Sequence, residues 1–149
     1  MAYQDDIKKA AALLLPWNKL SGCNILVTGA TGLIGGCLVD VLMAHKGRNY
    51  NVYASGRNEE RAGRRFLKYA DDNSFHFVKY DVAHPLEYDV NFQYIIHAAS
   101  GAYPEEFIKH PVEVIKGNIN GVDNLMGYGI QHGIKPVSYT HLRAHETAA

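Results

Sequence analysis

The sequence predicts a doubly wound α/β fold, a parallel sheet with helices on both faces, truncated after the fourth strand and its helix. Three observations carry this expectation: four short apolar or β-branched strands, helical segments between them, and a glycine-spaced turn joining the first strand to the next helix. Strands and helices alternating at this spacing imply right-handed crossovers and parallel pairing. With 149 residues and 47% hydrophobic content, the chain can bury one core and is too short for two ordinary domains.

In chain order, residues 4 to 15 read as a helix stopped by Pro16, with Ile7, Ala10, Ala11 and Leu14 on one face. Residues 1–21 therefore form an accessory helix and linker ahead of the main fold. Asn24 to Thr28 is the first strand, and Leu33, Leu38, Val41 and Leu42 mark the apolar period of the helix after it. Asn51 to Ser55 is a second strand, followed by a charged helix from Asn58 to about Tyr69. The third strand, Phe75 to Tyr80, ends in Asp81 and Val82. The fourth, Tyr94 to Ala99, is almost wholly apolar in its middle, as suits a strand covered on both faces. A long helix then runs from about Pro111 to Gln131, with proline at its start and Gly133 near its end.

Charge and composition exclude several classes. Lys plus Arg and Asp plus Glu number 15 each, so no net field recruits nucleic acid or an anionic membrane. Cys23 and Cys37 suit reduced thiols better than a disulfide scaffold. The apolar run Ala10 to Leu15 is far too short to span a membrane, and Asp5 and Asp6 stand where a signal peptide would carry positive charge. A cytoplasmic location is expected.

The turn itself carries the chemistry. Gly29 permits a tight turn, Gly32 lets backbone approach a pyrophosphate, and Gly35 lets the helix pack close to the strand. Thr31, Leu33 and Ile34 complete the loop and the first helical turn, whose N–H groups and positive dipole end face the phosphates. No Gly-Lys-Ser/Thr follows, which argues against a P-loop.

The spacing Gly-x-x-Gly-x-x-Gly, in the wording Thr28-Gly29-Ala30-Thr31-Gly32-Leu33-Ile34-Gly35, resembles the short-chain dehydrogenase/reductase superfamily. Within it, the wording is similar to the extended branch, the NAD(P)-dependent sugar-nucleotide epimerases and dehydratases. The resemblance covers residues 22 to about 136 and implies an incomplete Rossmann domain binding NAD or NADP. Where the family's NAD-selecting aspartate would fall, this chain has Gly56, and Arg57 follows; a basic residue there pairs with a 2′-phosphate, so NADP is favoured unless Arg57 is a solvated helix-entry residue beside Arg61, Arg64 and Arg65. Asp81 and Val82 match the family's adenine-binding pair, with a turn role for Asp81 as the alternative. Ala98, Ala99 and Ser100 match the small-residue segment that lets the ribose and pyrophosphate lie against the strand end, whereas His97 reads as a satisfied core histidine. Asn118, in a pattern completed by Gly121, Asn124 and Leu125, is expected to support the site through backbone and water contacts, or else to be a buried helix polar group. The segment from Tyr103 and Pro104 to His110, Pro111 and Glu113 falls where extended members approach the sugar nucleotide. From Pro111 to Asn118 it is similar to UDP-glucuronate decarboxylases and dTDP-glucose dehydratases.

Residues 137–147 break with the preceding periodicity and resemble the in-frame translation of a transposon-based sequencing adapter; a fifth strand beginning at Val137 is the competing reading. Residues 137–149 are therefore expected to be non-native, and the family's Tyr-x-x-x-Lys base to be missing. Tyr139 is followed four places later by Arg143, and neither receives a catalytic role; His141, His145 and Glu146 are likewise not a metal site. The full-length enzyme is expected to oxidise a sugar nucleotide transiently at C4 and to form a homodimer, and this part alone to be inactive, poorly soluble and a weak binder of dinucleotide. The alternatives are a nonenzymatic NADP-sensing protein and an NADPH-dependent carbonyl reductase.

Overall fold

The computed structural model describes residues 2–100 and 108–134. Tyr103 and Pro104 and the whole 137–149 tail, with Tyr139 and Arg143, lie outside the described residues. Four parallel strands, β1 (Asn24–Thr28), β2 (Asn51–Gly56), β3 (Phe75–Lys79) and β4 (Tyr94–His97), form one sheet in the order β3-β2-β1-β4. Val27 is in register with Ala54, Thr28 with His97 and Gly56 with Lys79. The chain thus builds outward from β1 to β3 and then returns to β1's other side with β4. The carboxyl ends of β1 and β4 form the switch point where doubly wound sheets open a crevice.

Both faces of the sheet are buried, so β1 is apolar at consecutive positions rather than alternating. Ile25 and Val27 face one core with Val52, Ala54, and Val39, Leu42 and Met43 of α2 (Leu33–Ala44), and Ala62 and Phe66 of α3 (Glu59–Phe66). Leu26 faces the opposite core with Tyr53, Val78, Phe92, and Leu125 and Tyr128 of α4 (Pro111–Gln131). Local signals set the helix ends. The Asn58 side chain accepts the Arg61 N–H at 2.8 Å, with Glu59 and Glu60 in the first turn of α3 and Arg64 and Arg65 in the last, complementing its dipole. Helix α4 closes at Gly133, φ +68°, where the Ile134 N–H reaches the Gly129 carbonyl at 2.8 Å and the Gly133 N–H reaches Ile130. That is the left-handed glycine ending in which the last carbonyls are satisfied.

The N-terminal helix, α1, spans Ala2–Ala11 rather than reaching Leu15. Ile7 and Ala11 are buried against α2, but Leu14 is fully exposed, so it does not share their face. The reason is where α2 ends: His45, its C-terminal cap, holds the Ala11 carbonyl through Nδ1 at 3.0 Å and stacks on Trp17, leaving no further surface for α1 to cover. Leu33 also departs from the predicted apolar period of α2, at 87% exposure, and Leu38 and Val41 are only half-buried. The buried face of that helix runs instead through Gly35, Gly36, Val39, Asp40, Leu42 and Met43.

Asp40 is the unexpected member of that face. It is fully buried and accepts the Tyr3 hydroxyl at 2.6 Å, the Tyr69 hydroxyl at 2.9 Å, Arg65 at 2.5 Å and Lys68 at 2.9 Å. One carboxylate therefore ties α1 to α2, α3 and the 3₁₀ turn Leu67–Tyr69. Burial alone would raise its pKa, but these hydrogen bonds outweigh burial and hold the carboxyl at about 2.

Candidate functional site

The glycine turn sits at the switch point. Gly29 has φ +64°, and a Cβ on it would fall 2.6 Å from the Ala98 carbonyl oxygen and 2.7 Å from the Ala99 Cα. The turn and the end of β4 are thus in backbone contact, which only a glycine permits. A Cβ on Gly35 would lie 2.4 Å from the Gly29 carbonyl oxygen, so the helix packs directly on the turn. Gly32, with φ −80°, precedes α2 and is exposed; its N–H donates to the Gly29 carbonyl at 2.9 Å. Among the described residues no side chain caps α2, and Leu33 and Ile34 of its first turn are exposed. A helix start with uncapped N–H groups beside a crevice suits an anion.

Beneath the turn, the Thr28 hydroxyl lies 2.8 Å from His97 Nδ1 and accepts the Ala98 N–H at 3.3 Å. This pair fixes the path of the chain into Ala98 and Ala99. Burial pushes the His97 imidazole below its ordinary value, which favours the neutral ring. His97 is therefore a hydrogen-bonded core histidine rather than an open base. Ser55 holds the Ala30 N–H through its carbonyl at 3.0 Å, and its own buried hydroxyl has no partner among the described residues.

The remaining expected site residues lie at the ends of β2, β3 and β4 and on α4. Ala98 and Ala99 are half-buried and Ser100 is exposed at the mouth. Asp81 and Val82 follow β3; one Asp81 carboxylate oxygen accepts the Ala83 N–H at 3.1 Å, so the residue makes the local turn whatever else it does. Val82 is held from α4: Asn124 donates its amide to the Val82 carbonyl at 2.9 Å, and a Cβ on Gly121 would come within 3.2 Å of the Val82 side chain and 3.4 Å of His97. The pattern around Asn118 thus has a packing meaning, since Gly121 lets α4 approach and Asn124 pins the loop. Asn118 itself is half-buried one turn earlier.

On the other side, Thr31 meets the end of β2, where a Cβ on Gly56 would stand 3.5 Å from its hydroxyl oxygen. A cleft there is lined by Thr31, Arg57, Asn58, Glu59, Glu60, Arg61 and Lys79, with Lys79 Nζ 3.0 Å from Glu59. Sequence reasoning named Arg57 but missed Glu59 and Lys79. The parallel register of Gly56 with Lys79 was the signal that places them together. The structure brings Gly29, Gly35, Ala98 and Ala99 together at one switch point, with Thr31 and Gly32 in the same turn; Arg57 follows β2, Asp81 and Val82 follow β3 with Val82 against α4, and Asn118 lies on α4 one turn before Gly121.

Comparison with known proteins agrees with the fold. A sequence model of the NAD dependent epimerase/dehydratase family matches residues 25–147. Over 119 residues the chain is 30% identical to UDP-glucuronic acid decarboxylase 2 of Arabidopsis thaliana, covering 78% of this chain and 25% of that protein. Among solved structures, Pen from Bacillus thuringiensis superposes with a TM-score of 0.65 at 24% identity, over 78% of this chain and 36% of that one. UDP-glucose 4-epimerase from Thermotoga maritima, solved with UDP-glucose, gives a TM-score of 0.56 at 25% identity, over 75% and 35% of the two chains. The chain therefore spans about a quarter of the decarboxylase and about a third of each solved chain.

Proposed function

Because this chain belongs to the NAD dependent epimerase/dehydratase family, whose members are nicotinamide-dependent enzymes, we propose that residues 22 to about 136 are the NAD(P)-binding part of a sugar-nucleotide enzyme. The observation that carries this is the backbone contact of Gly29 with Ala98 and Ala99 beside the uncapped start of α2. The fit is physical: Gly29, Gly32 and Gly35 put no side chain of their own in the turn, and the first N–H groups of α2 have no side-chain cap among the described residues. In this reading Gly29, Thr31, Gly32, Leu33, Ile34 and Gly35 hold the pyrophosphate. Arg57 takes the adenosine ribose side and favours NADP, Asp81 and Val82 border the adenine, and Ala98, Ala99 and Ser100 border the nicotinamide ribose. Asn118 supports the region through water and backbone. When bound, the nicotinamide supplies a reversible hydride acceptor.

The 30% identity to a UDP-glucuronic acid decarboxylase supports a UDP-glucuronate or related nucleotide-sugar substrate, oxidised transiently at C4 and then decarboxylated, dehydrated or epimerised. The proton-transferring tyrosine and the sugar-binding region belong, in this reading, to sequence beyond Pro136, with residues 137–149 non-native. Turnover of UDP-glucuronate or dTDP-glucose by the full-length gene product, with none by this 149-residue chain, is the expected assay result. Turnover by this chain alone, or a cofactor-loaded full-length protein inert on every nucleotide sugar, would sink the proposal.

A homodimer of the full-length protein is part of the same reading. Val112, Ile115, Ile119, Val122, Met126 and Ile130 are exposed along α4, opposite its buried Val114, Gly121, Leu125 and Tyr128. Their spacing of three and four residues makes an apolar stripe about 27 Å long, the pattern a second identical helix can cover. Ile119→Glu is expected to shift the full-length protein from dimer to monomer in light scattering, and an unchanged mass would rule this face out.

A further inference from the structure

We propose that the turn at residues 13–17 docks this protein on an anionic phospholipid surface, its leucines entering the bilayer interface and the lysines around it meeting the headgroups. The apolar run is too short to span a bilayer, so the contact is with its surface.

The first support is apolar surface that the fold leaves bare. Leu13 and Leu15 are 57% and 52% exposed, Leu14 is fully exposed, and Pro16 beside them is exposed too. Ile7 and Ala11 take the buried face of α1, and these four residues follow where that face ends. Leu14 keeps its whole side chain clear of the fold, so the group projects as a tip rather than lying flush in a patch. A rigid partner needs a matching pocket for such a tip, whereas a fluid interface closes around it.

The backbone of the tip is the second support, because an apolar phase accepts main chain only where its polar groups are already paired. The Leu13 N–H donates to the Ala10 carbonyl at 3.3 Å, the Leu15 N–H to the Leu13 carbonyl at 2.8 Å and the Trp17 N–H to the Leu15 carbonyl at 2.8 Å, while Pro16 has no N–H. The Trp17 indole N–H also donates to the Leu13 carbonyl, at 2.9 Å. The tip can leave water at little cost in hydrogen bonds.

Charge supplies the third support and names the partner. No Asp or Glu occurs between Asp6 and Asp40, and Asp40 is fully buried. Lys8 and Lys9 lie in the last turn of α1, Lys19 stands two residues past Trp17, and Lys46 follows His45, the ring that stacks on Trp17. All four are exposed, and their one ion pair among the described residues, Lys9 with Asp6 at 3.9 Å, is open to water and weak. The even charge of the whole chain gives no long-range pull, so the attraction belongs to this corner. Trp17 and Tyr94, whose hydroxyl lies 3.5 Å from the Lys19 carbonyl, add the amphipathic rings that favour a membrane interface. The corner sits at the amino ends of β1 and β4, so the glycine turn at the carboxyl end of β1 stays at the far end of the sheet.

Trp17 is the only tryptophan of the chain, so its emission reports from the tip itself. With vesicles of phosphatidylcholine and phosphatidylglycerol in equal parts, the 149-residue chain should show Trp17 emission shifted to the blue and quenched by brominated acyl chains. Binding should weaken at least about tenfold in pure phosphatidylcholine or in high salt. Leu14→Ser should weaken it about tenfold and Lys19→Gln about fivefold. Both residues are exposed, and an unchanged circular dichroism spectrum will show that each variant is folded. An unshifted and unquenched Trp17, equal binding to neutral vesicles, or full binding by Leu14→Ser overturns the proposal. A blue shift that grows with protein concentration in the absence of vesicles gives the tip to a second copy of this chain and overturns it as well. The full-length gene product should bind the same vesicles; if it stays free while the 149-residue chain binds, the rest of the enzyme covers the tip and the proposal falls.

Discussion

Gly29→Ala is expected to destabilise the fold by about 3 kcal/mol or more and to abolish dinucleotide binding. Two costs coincide at this position. Its φ of +64° lies in the left-handed region, where a side chain costs roughly 1–2 kcal/mol. The new methyl would also meet the Ala98 carbonyl oxygen at 2.6 Å and the Ala99 Cα at 2.7 Å, both backbone atoms that cannot step aside, and overpacking of this kind adds about 1–3 kcal/mol. Urea unfolding at low micromolar concentration measures the first effect and ligand-observed NMR the second. Gly32→Ala separates them: Gly32 is exposed, its φ is negative, and an added Cβ meets only the Gly29 carbonyl at 3.1 Å. That variant should keep the fold and still lose affinity.

Asp40→Asn is expected to cost about 3 kcal/mol without touching the crevice. The carboxylate is fully buried and receives two hydroxyls, a guanidinium and an ammonium, so the amide leaves Arg65 and Lys68 without their counter-charge. A midpoint fall on the order of 10 °C follows for a chain of this size. The same group predicts an acid response. Its folded pKa of about 2 lies below its ordinary value of 3.8, so its stabilisation is complete above about pH 4 and is lost as pH falls towards 2. The amount is about 2 kcal/mol, from 1.36 kcal/mol per unit. In Asp40→Asn this step should vanish, so wild type and variant converge in stability near pH 2. A constant difference from pH 7 to pH 2 would contradict the role given to Asp40.

The glycine turn, the parallel sheet and the order of elements were legible because their causes are local. A run of β-branched residues, a triplet of glycines at fixed spacing and Pro111 each act on their own neighbours, and helix α4 begins and ends where those signals stand. What was not legible depends on partners far apart in sequence. The role of Asp40 depends on Tyr3, Arg65 and Tyr69, which lie 25 to 37 residues away in sequence. Leu14 fitted the helical period of residues 4 to 15, yet the period could not say that α2 ends at His45 and leaves it nothing to pack against. Likewise the pairing of Glu59 with Lys79 needs the register of β2 against β3 before it can be seen.

Binding of a nicotinamide dinucleotide to the switch point tests the central claim most directly. Saturation-transfer NMR on the 149-residue chain should show saturable, single-site binding of NADP that is lost in Gly32→Ala with the fold intact. A folded chain that binds neither NADP nor NAD at millimolar concentration, or that binds them equally well with Gly32 replaced, would contradict it.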